Sequence, residues 1–193
     1  MKYKIIPTII AKNQKEFDEY FNKIKKYTGL IQVDIMDGEF VRNKSNWFDL
    51  KLNKKFKYEA HLMVNNPENY IYKNYGKFDV LIANIERVKN SEKLIKFCRN
   101  KKKKLRFALN PETPISKVIF YLDKIDGVLI LTVNPGRYGA PFIPATLKKI
   151  KRLRQLSKIN IEVDGHMDIV NIKKCLESGA NLFSVGSCLK NSI

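Results

Sequence analysis

Short apolar runs alternate with amphipathic helical segments along the whole of this chain, with few residues between them. The apolar runs lie at residues 4–10, 30–36, 57–64, 78–85, 105–109, 127–133, 159–164 and 182–186. Alternation of strands and helices indicates a parallel sheet, because parallel strands need crossover connections. Eight such units predict an α/β fold of the (β/α)8 TIM-barrel type, whose active site lies at the carboxyl ends of the strands.

The segments between the strands predict seven helices, one of them a short helix at residues 47–52. Asn66 and Pro67 mark one helix start, with asparagine as the cap and proline in the first turn. No linker or low-complexity tract interrupts the pattern, so residues 1–193 are expected to form one barrel domain. Since few residues follow the last strand, we expect a barrel truncated at its last helix, with an uncovered flank that favours a homo-oligomer.

The formal net charge of +18 raises the question of an anionic partner. Nucleic-acid binding is the less favoured interpretation, because the one dense lysine run, residues 101–104, has no interleaved aromatic residues to stack on bases. A positive field that attracts small anionic substrates is the favoured one. No apolar run is long enough to span a bilayer, and no signal peptide is recognisable, so a cytoplasmic location is expected. The separated residues Cys98, Cys175 and Cys188 fit reduced thiols.

Polar side chains concentrate at the carboxyl ends of the predicted strands. They are Thr8, Asp34, Asp37, His61, Asn84, Asn110, Asn134, Asp164 and Ser187. Because side chains alternate across a strand, Gln32, Asp34 and Met36 share one face of the second strand. A carboxylate within such an apolar run is costly unless a metal, a cation or chemistry satisfies it. His61 and Asp164 end two other strands and could meet it there.

Seven collinear motifs resemble those of the ribulose-phosphate 3-epimerase family. They are VDIMDG at 33–38, AHLMV at 60–64, LNPETP at 109–114, VNPG at 133–136, FIP at 142–144, IEVDG at 161–165 and VGS at 185–187. The resemblance implies an isomerase that epimerises a ketose phosphate, ribulose 5-phosphate or a close analogue, at C3. By this resemblance Asp34 and Asp164 are the catalytic acid/base pair. Proton removal beside a ketone needs such a pair and a positive centre where negative charge develops.

The resemblance also implies a divalent metal cation, zinc in the family, held by Asp34, His61, Asp164 and the residue at position 32. Gln32 stands where the family has a histidine. An amide oxygen is a harder ligand than imidazole, so manganese, iron or magnesium are alternatives to zinc. Asp37 is interpreted as a group that fixes the loop by accepting backbone N–H bonds.

The remaining site residues follow from the same resemblance. The substrate-binding set is Thr8, Met36, Met63, Asn134, Gly136, Gly139, Gly165, His166, Gly186 and Ser187. Arg137 is a candidate phosphate ligand, with an orientation towards solvent as an equal alternative. His166 could donate into the pocket or be an exposed loop residue. Departures at Gln32, Tyr138 and His166 keep a second hypothesis open, a catalytically impaired barrel that binds a sugar phosphate or a protein partner.

Overall fold

The computed structural model describes residues 3–136 and 139–186, and it confirms the barrel. The strands are β1 Lys4–Ile9, β2 Leu30–Asp37, β3 Lys44–Ser45, β4 Lys57–Met63, β5 Val80–Asn84, β6 Lys104–Leu109, β7 Gly127–Leu131, β8 Asn160–Asp164 and β9 Leu182–Val185. Eight parallel strands are hydrogen-bonded in the order β1-β9-β8-β7-β6-β5-β4-β2, and pairing of β1 with β2 closes the ring. The two-residue strand β3 pairs antiparallel with β2.

Six α-helices connect the strands of the described residues. They are α1 Gln14–Ile24, α2 Pro67–Asn74, α3 Ser91–Asn100, α4 Ser116–Ile119, α5 Thr146–Leu156 and α6 Ile169–Glu177. The start of α2 agrees with the sequence, since the Asn66 side chain accepts a hydrogen bond from the Asn69 N–H at 3.1 Å. The predicted absence of a last helix concerns residues 187–193, which lie outside the described residues.

The predicted helix at residues 47–52 is wrong. Its backbone is held by a side chain from another element: Gln14 donates to the Lys51 carbonyl at 3.0 Å and accepts from the Lys51 N–H at 2.9 Å. Because these backbone groups bond to an amide side chain, they are not used for a helical turn. Leu50 is buried in the apolar layer between the sheet and the helices, and Trp47 stacks on Tyr70. The segment therefore covers the barrel in an irregular conformation.

Two apolar regions hold the barrel together. The larger lies between the sheet and the helices and includes Val33 and Ile35 of β2. The smaller lies inside the barrel and consists of Val80, Ile82, Ala108, Leu129 and Leu131. These five come from β5, β6 and β7, so they form one apolar wall of the interior. The opposite wall is polar and comes mainly from β2, β4, β8 and β9.

A buried ion cluster occupies the interior below the strand ends. The Arg106 guanidinium binds Glu59 at 2.9 Å and also binds Glu162. Gly127 makes room for it, since a Cβ there would lie 3.1 Å from Arg106 Cδ. Burial, followed by the charge of Glu162, raises the pKa of Glu59 well above its usual value, although Arg106 acts in the opposite direction. The cluster therefore holds two carboxyl groups with one guanidinium.

Across residues 3–136 and 139–186, the helices are too short or too polar for any of them to cross a membrane. Cys98 and Cys175 are buried free thiols.

Candidate active site

Asp34, His61 and Asp164 converge at the carboxyl end of the barrel, as the sequence predicts. Asp34 and His61 are neighbours because they pair in register across β2 and β4. Closure of the barrel brings Asp164 at the end of β8 to the same place. His61 Nδ1 lies 3.5 Å from Asp34 Oδ1 and 3.3 Å from Asp164 Oδ2. One potential ligand atom from each of the three residues lies within 4.8 Å of the others.

Burial and mutual charge perturb the titration of this cluster. Burial, and then the negative charge of Asp164, raise the pKa of Asp34 to about 6, although His61 and Gln32 act in the opposite direction. Burial disfavours the charged form of His61, but the two adjacent carboxylates outweigh it and raise the pKa of the imidazole to about 10. In the absence of another cation, His61 is thus the positive charge that faces the two acids at neutral pH.

Gln32 lies directly behind the two carboxylates and is completely buried. Its Nε2 donates to Asp34 Oδ1 and to Asp164 Oδ2, at 2.9 Å in each case. Its Oε1 accepts from the Ser184 hydroxyl at 2.7 Å. The amide therefore links both predicted catalytic acids to β9.

A cavity of about 340 Å³ opens above these residues. Ten of the predicted site residues line it: Thr8, Asp34, Met36, Met63, Gly136, Gly139, Asp164, Gly165, His166 and Gly186. Gln32 and His61 are fully buried and do not line it. Asn134 is exposed and lines a neighbouring cavity with Phe40 and Arg42. Arg137 and Ser187, the other two predicted contacts, lie outside the described residues.

Met36 and Met63 form part of the apolar cavity wall. They pack with Val41 into one buried cluster, with Phe40 against its edge. Thr8 supplies an unused polar group, because its buried Oγ1 has no hydrogen-bond partner among the described residues. The cavity thus combines the two acids with a methionine-lined surface and one free hydroxyl.

Asp37 fixes the loop after β2, as its position before Gly38 predicts. Its Oδ1 accepts from the N–H groups of Glu39 and Phe40 at 2.8 and 3.0 Å, and its Oδ2 accepts from Asn65 N–H at 2.6 Å. Burial acts against ionisation, but these backbone donors lower the pKa of Asp37 below its usual value. The loop that carries Val41 against Met36 and Met63 is therefore anchored to the residues that follow β4.

Loop glycines shape the opposite rim. Gly165 has a φ of +116°, and a Cβ at this position would lie 2.6 Å from Val133 Cγ2. His166 follows with a φ of +53°, and its Nδ1 lies 3.2 Å from the Ala140 carbonyl oxygen. Its imidazole is partly exposed and lines the cavity, so it is compatible with both interpretations given from the sequence.

Several polar residues of this region were missed from the sequence: Ser184 and Asn46, and also Lys12, Glu16, Asn43, Lys44 and Ser45, which line the cavity. Ser184 lines the cavity and bonds to Gln32 and Glu162. Asn46 is buried and donates to the backbone carbonyls of Ile9 and Asp34. Alternation along β9 could have placed Ser184 inside the barrel, two positions before Gly186. Asn46 follows an irregular loop, where no periodic signal applies.

The donor set fits a divalent cation. Two carboxylates and one imidazole are ligands that catalytic zinc sites use with an open position, and that manganese also accepts. Both ring nitrogens of His61 are buried without a well-aligned hydrogen bond to any described residue. A cation between the three residues would use the Nδ1 lone pair and compensate the two carboxylates.

Comparison with known proteins assigns the chain to a family. Residues 4–190 match the ribulose-phosphate 3 epimerase family. Ribulose-phosphate 3-epimerase from Buchnera aphidicola subsp. Baizongia pistaciae is 34% identical, over 100% of this chain and 90% of that protein. The enzyme of the same name from Bacillus subtilis is 30% identical, over 96% of this chain and 91% of that protein.

Solved structures confirm the architecture. A mutant tryptophan synthase alpha-subunit from Pyrococcus furiosus superposes with a TM-score of 0.72 at 17% identity, over 98% of this chain and 91% of that chain. At that identity the similarity shows the fold alone. The family match and the curated relatives carry the assignment further: the chain belongs to the ribulose-phosphate 3-epimerase family and is an isomerase-class enzyme, as its motifs predicted.

Proposed function

We propose that the protein is a metal-dependent 3-epimerase that interconverts ribulose 5-phosphate and xylulose 5-phosphate or a close analogue. The observation that carries this proposal is the pair Asp34 and Asp164, which come from distant strands and open on one cavity. Family membership supports a pentose-phosphate substrate. The cavity volume suits a small phosphorylated sugar.

Two acids on one cavity suit proton transfer at the carbon beside a ketone. One carboxylate removes the C3 proton, and the other carboxyl group returns a proton to the opposite face. A divalent cation held by Asp34, His61 and Asp164 would supply Lewis-acid stabilisation of the negative charge on the substrate oxygens. Met36 and Met63 keep water from one side of the planar substrate, which protects the reactive carbon from uncontrolled protonation.

The cavity rim supports binding of the rest of the substrate. The Thr8 hydroxyl is free to bond a sugar oxygen. Gly165 and Gly186 line the cavity after the seventh and eighth barrel strands, where barrels of this type commonly bind a phosphate. The net charge of +18 would attract an anionic substrate. Arg137, Gly139, His166 and Ser187 remain predicted contributors.

Solvent exchange at C3 tests the proposal. The protein with added Mn²⁺ or Zn²⁺ should exchange the C3 hydrogen of ribulose 5-phosphate with deuterium. Asp34→Asn and Asp164→Asn should each lower the exchange rate by about 10² to 10⁴. Asp49→Asn is the matched control, since Asp49 is 85% exposed and pairs with Lys77 at the surface. Absence of exchange with every ketose phosphate, despite sugar-phosphate binding, would replace the proposal by the impaired binding barrel.

A cytoplasmic location and self-association are further proposals. The buried free thiols Cys98 and Cys175 are compatible with a reducing compartment. Phe120, Ile169 and Val170 are large exposed apolar residues that could contribute to a subunit contact. Sedimentation equilibrium would test self-association, with a monomer at all concentrations as the contrary result.

A further inference from the structure

The hydrogen bonds around Gln32 reveal a competition for one proton. Gln32 Nε2 uses both of its hydrogens on Asp34 and Asp164, and Oε1 faces the Ser184 hydroxyl. The same hydroxyl lies 2.6 Å from Glu162 Oε1. A serine hydroxyl carries one hydrogen, so it can donate to only one of these two oxygens. The present orientation of the amide thus leaves one of two close oxygen acceptors without the Ser184 proton.

Turning the Gln32 amide by 180° removes this competition. Nε2 would then donate to Ser184 Oγ, and the Ser184 hydroxyl would donate to Glu162 Oε1. Oε1 would face Asp34 Oδ1 and Asp164 Oδ2. Three oxygen acceptors facing one another are unfavourable alone, but they match the ligand preferences of a hard divalent cation.

We infer that the Gln32 amide reverses its orientation when a cation binds, and that Ser184 is the positioning residue that makes both orientations possible. This inference rests on the metal in the proposed function. Without a cation, the amide nitrogen cross-links the two carboxylates. With a cation, the amide oxygen becomes the fourth protein ligand, and Ser184 passes its hydrogen bond to Glu162.

The surroundings suit Ser184 to this role. A hydroxyl both donates and accepts, so it satisfies either end of an amide. Glu162 is completely buried, and its other carboxyl oxygen is held by Arg106. The acceptor for Ser184 is therefore fixed in place whichever way the amide faces.

Metal affinity distinguishes an amide that reverses on metal binding from one that keeps its present orientation. We would measure Mn²⁺ binding by calorimetry for the wild type, Ser184→Ala and Gln32→Leu. Both variants should bind at least tenfold more weakly, because partners that orient metal ligands contribute 10- to 100-fold to affinity. Val185→Ala, a truncation of the adjacent buried residue that faces the helices, is the matched control and should bind as the wild type does. Equal or tighter binding by both site variants would overturn the inference, since a purely cross-linking amide would compete with the cation.

A spectroscopic readout follows the amide itself. In the protein loaded with diamagnetic Zn²⁺, the Gln32 Nε2 protons should show nuclear Overhauser contacts to the Ser184 β protons, stronger than in the metal-free protein. The variant Gln32→His distinguishes failure of the proposed metal site from failure of the amide reversal. If the wild type and Gln32→His both fail to bind Mn²⁺ and Zn²⁺, the metal in the proposed function falls as well. If only Gln32→His binds, the metal site stands and the amide reversal is overturned.

Discussion

Replacing Arg106 by methionine should destabilise the protein by about 3–5 kcal/mol at pH 7. Arg106 is 6% exposed, while Glu59 and Glu162 are fully buried. Removing the guanidinium leaves two carboxyl groups inside the barrel with no cation beside them. Loss of one partner from a buried ion pair costs this amount because the remaining charge is uncompensated, even where the intact pair itself contributes little. Methionine keeps much of the volume, so the cavity contribution is small.

The pH dependence of the stability loss in Arg106→Met tests whether uncompensated carboxylate charge causes it. In the variant, the pKa of Glu59, which burial already raises above the usual value of 4.5, should rise further in the folded state because the opposing charge of Arg106 is gone. A raised folded pKa means that stability is lost as pH rises from the unfolded value through the folded one. The difference between wild type and variant should therefore be largest near pH 7 and shrink towards pH 4. The slope is up to about 1.4 kcal/mol per pH unit for each proton.

Urea unfolding at pH 4, 5.5 and 7, followed by circular dichroism, measures this difference. The triple variant Arg106→Met, Glu59→Gln and Glu162→Gln is the control, because it removes the carboxylates together with their cation and should recover most of the loss. A cost below about 1 kcal/mol at pH 7, or a cost that grows on acidification, would refute the reasoning from uncompensated buried charge.

Three further changes probe the loops and the interior. Gly165→Ala should destabilise by about 1–3 kcal/mol in urea unfolding, because a Cβ would overlap Val133 at a φ of +116°, whereas Gly76→Ala, with no neighbour within 4 Å, should have little effect. Asp37→Asn should cost about 1 kcal/mol at pH 7, since the charged acceptor of three N–H bonds is lost. That cost should disappear as pH falls below the usual aspartate pKa of 3.8 and through the lowered pKa of Asp37 in the folded state. A cost that does not change with pH would contradict this prediction. The free energy of unfolding of Glu59→Gln, relative to that of the wild type, should increase as pH rises above 4.5, because the raised pKa makes ionisation of Glu59 unfavourable in the folded state. Urea unfolding at several pH values measures this difference, and a decrease with rising pH would contradict the prediction.

The barrel and the meeting of Asp34, His61 and Asp164 could be predicted from the sequence because strand alternation is a local signal. Period two places Gln32, Asp34 and Met36 on one face, and parallel closure brings the strand ends together. The segment at residues 47–52 could not be predicted in this way. Its backbone is fixed by Gln14, which lies on α1, so the sequence pattern of residues 47–52 contains no signal of this contact.

The same limit explains why the hydrogen bond between Gln32 and Ser184 was missed. Ser184 and Gln32 are 152 positions apart, and their hydrogen bond depends on how β9 and β2 enclose the interior. The Arg106 cluster likewise joins β4, β6 and β8. Periodicity can say that such side chains face inwards, but the choice of partner is set by register and side-chain length.

The ion cluster and the candidate active site form one polar column inside the barrel. Arg106 holds Glu162, Glu162 contacts Ser184, and Ser184 contacts the amide that bonds to both acids. Glu162 and Asp164 share the inward face of β8 because they are two positions apart. The buried charges therefore contribute to more than stability: they fix the hydrogen-bond partner of the residue that orients Gln32. Since Asp37 is attached to the loop rather than to this column, a change at Asp37 should affect stability without moving metal affinity, whereas a change at Arg106 should affect both.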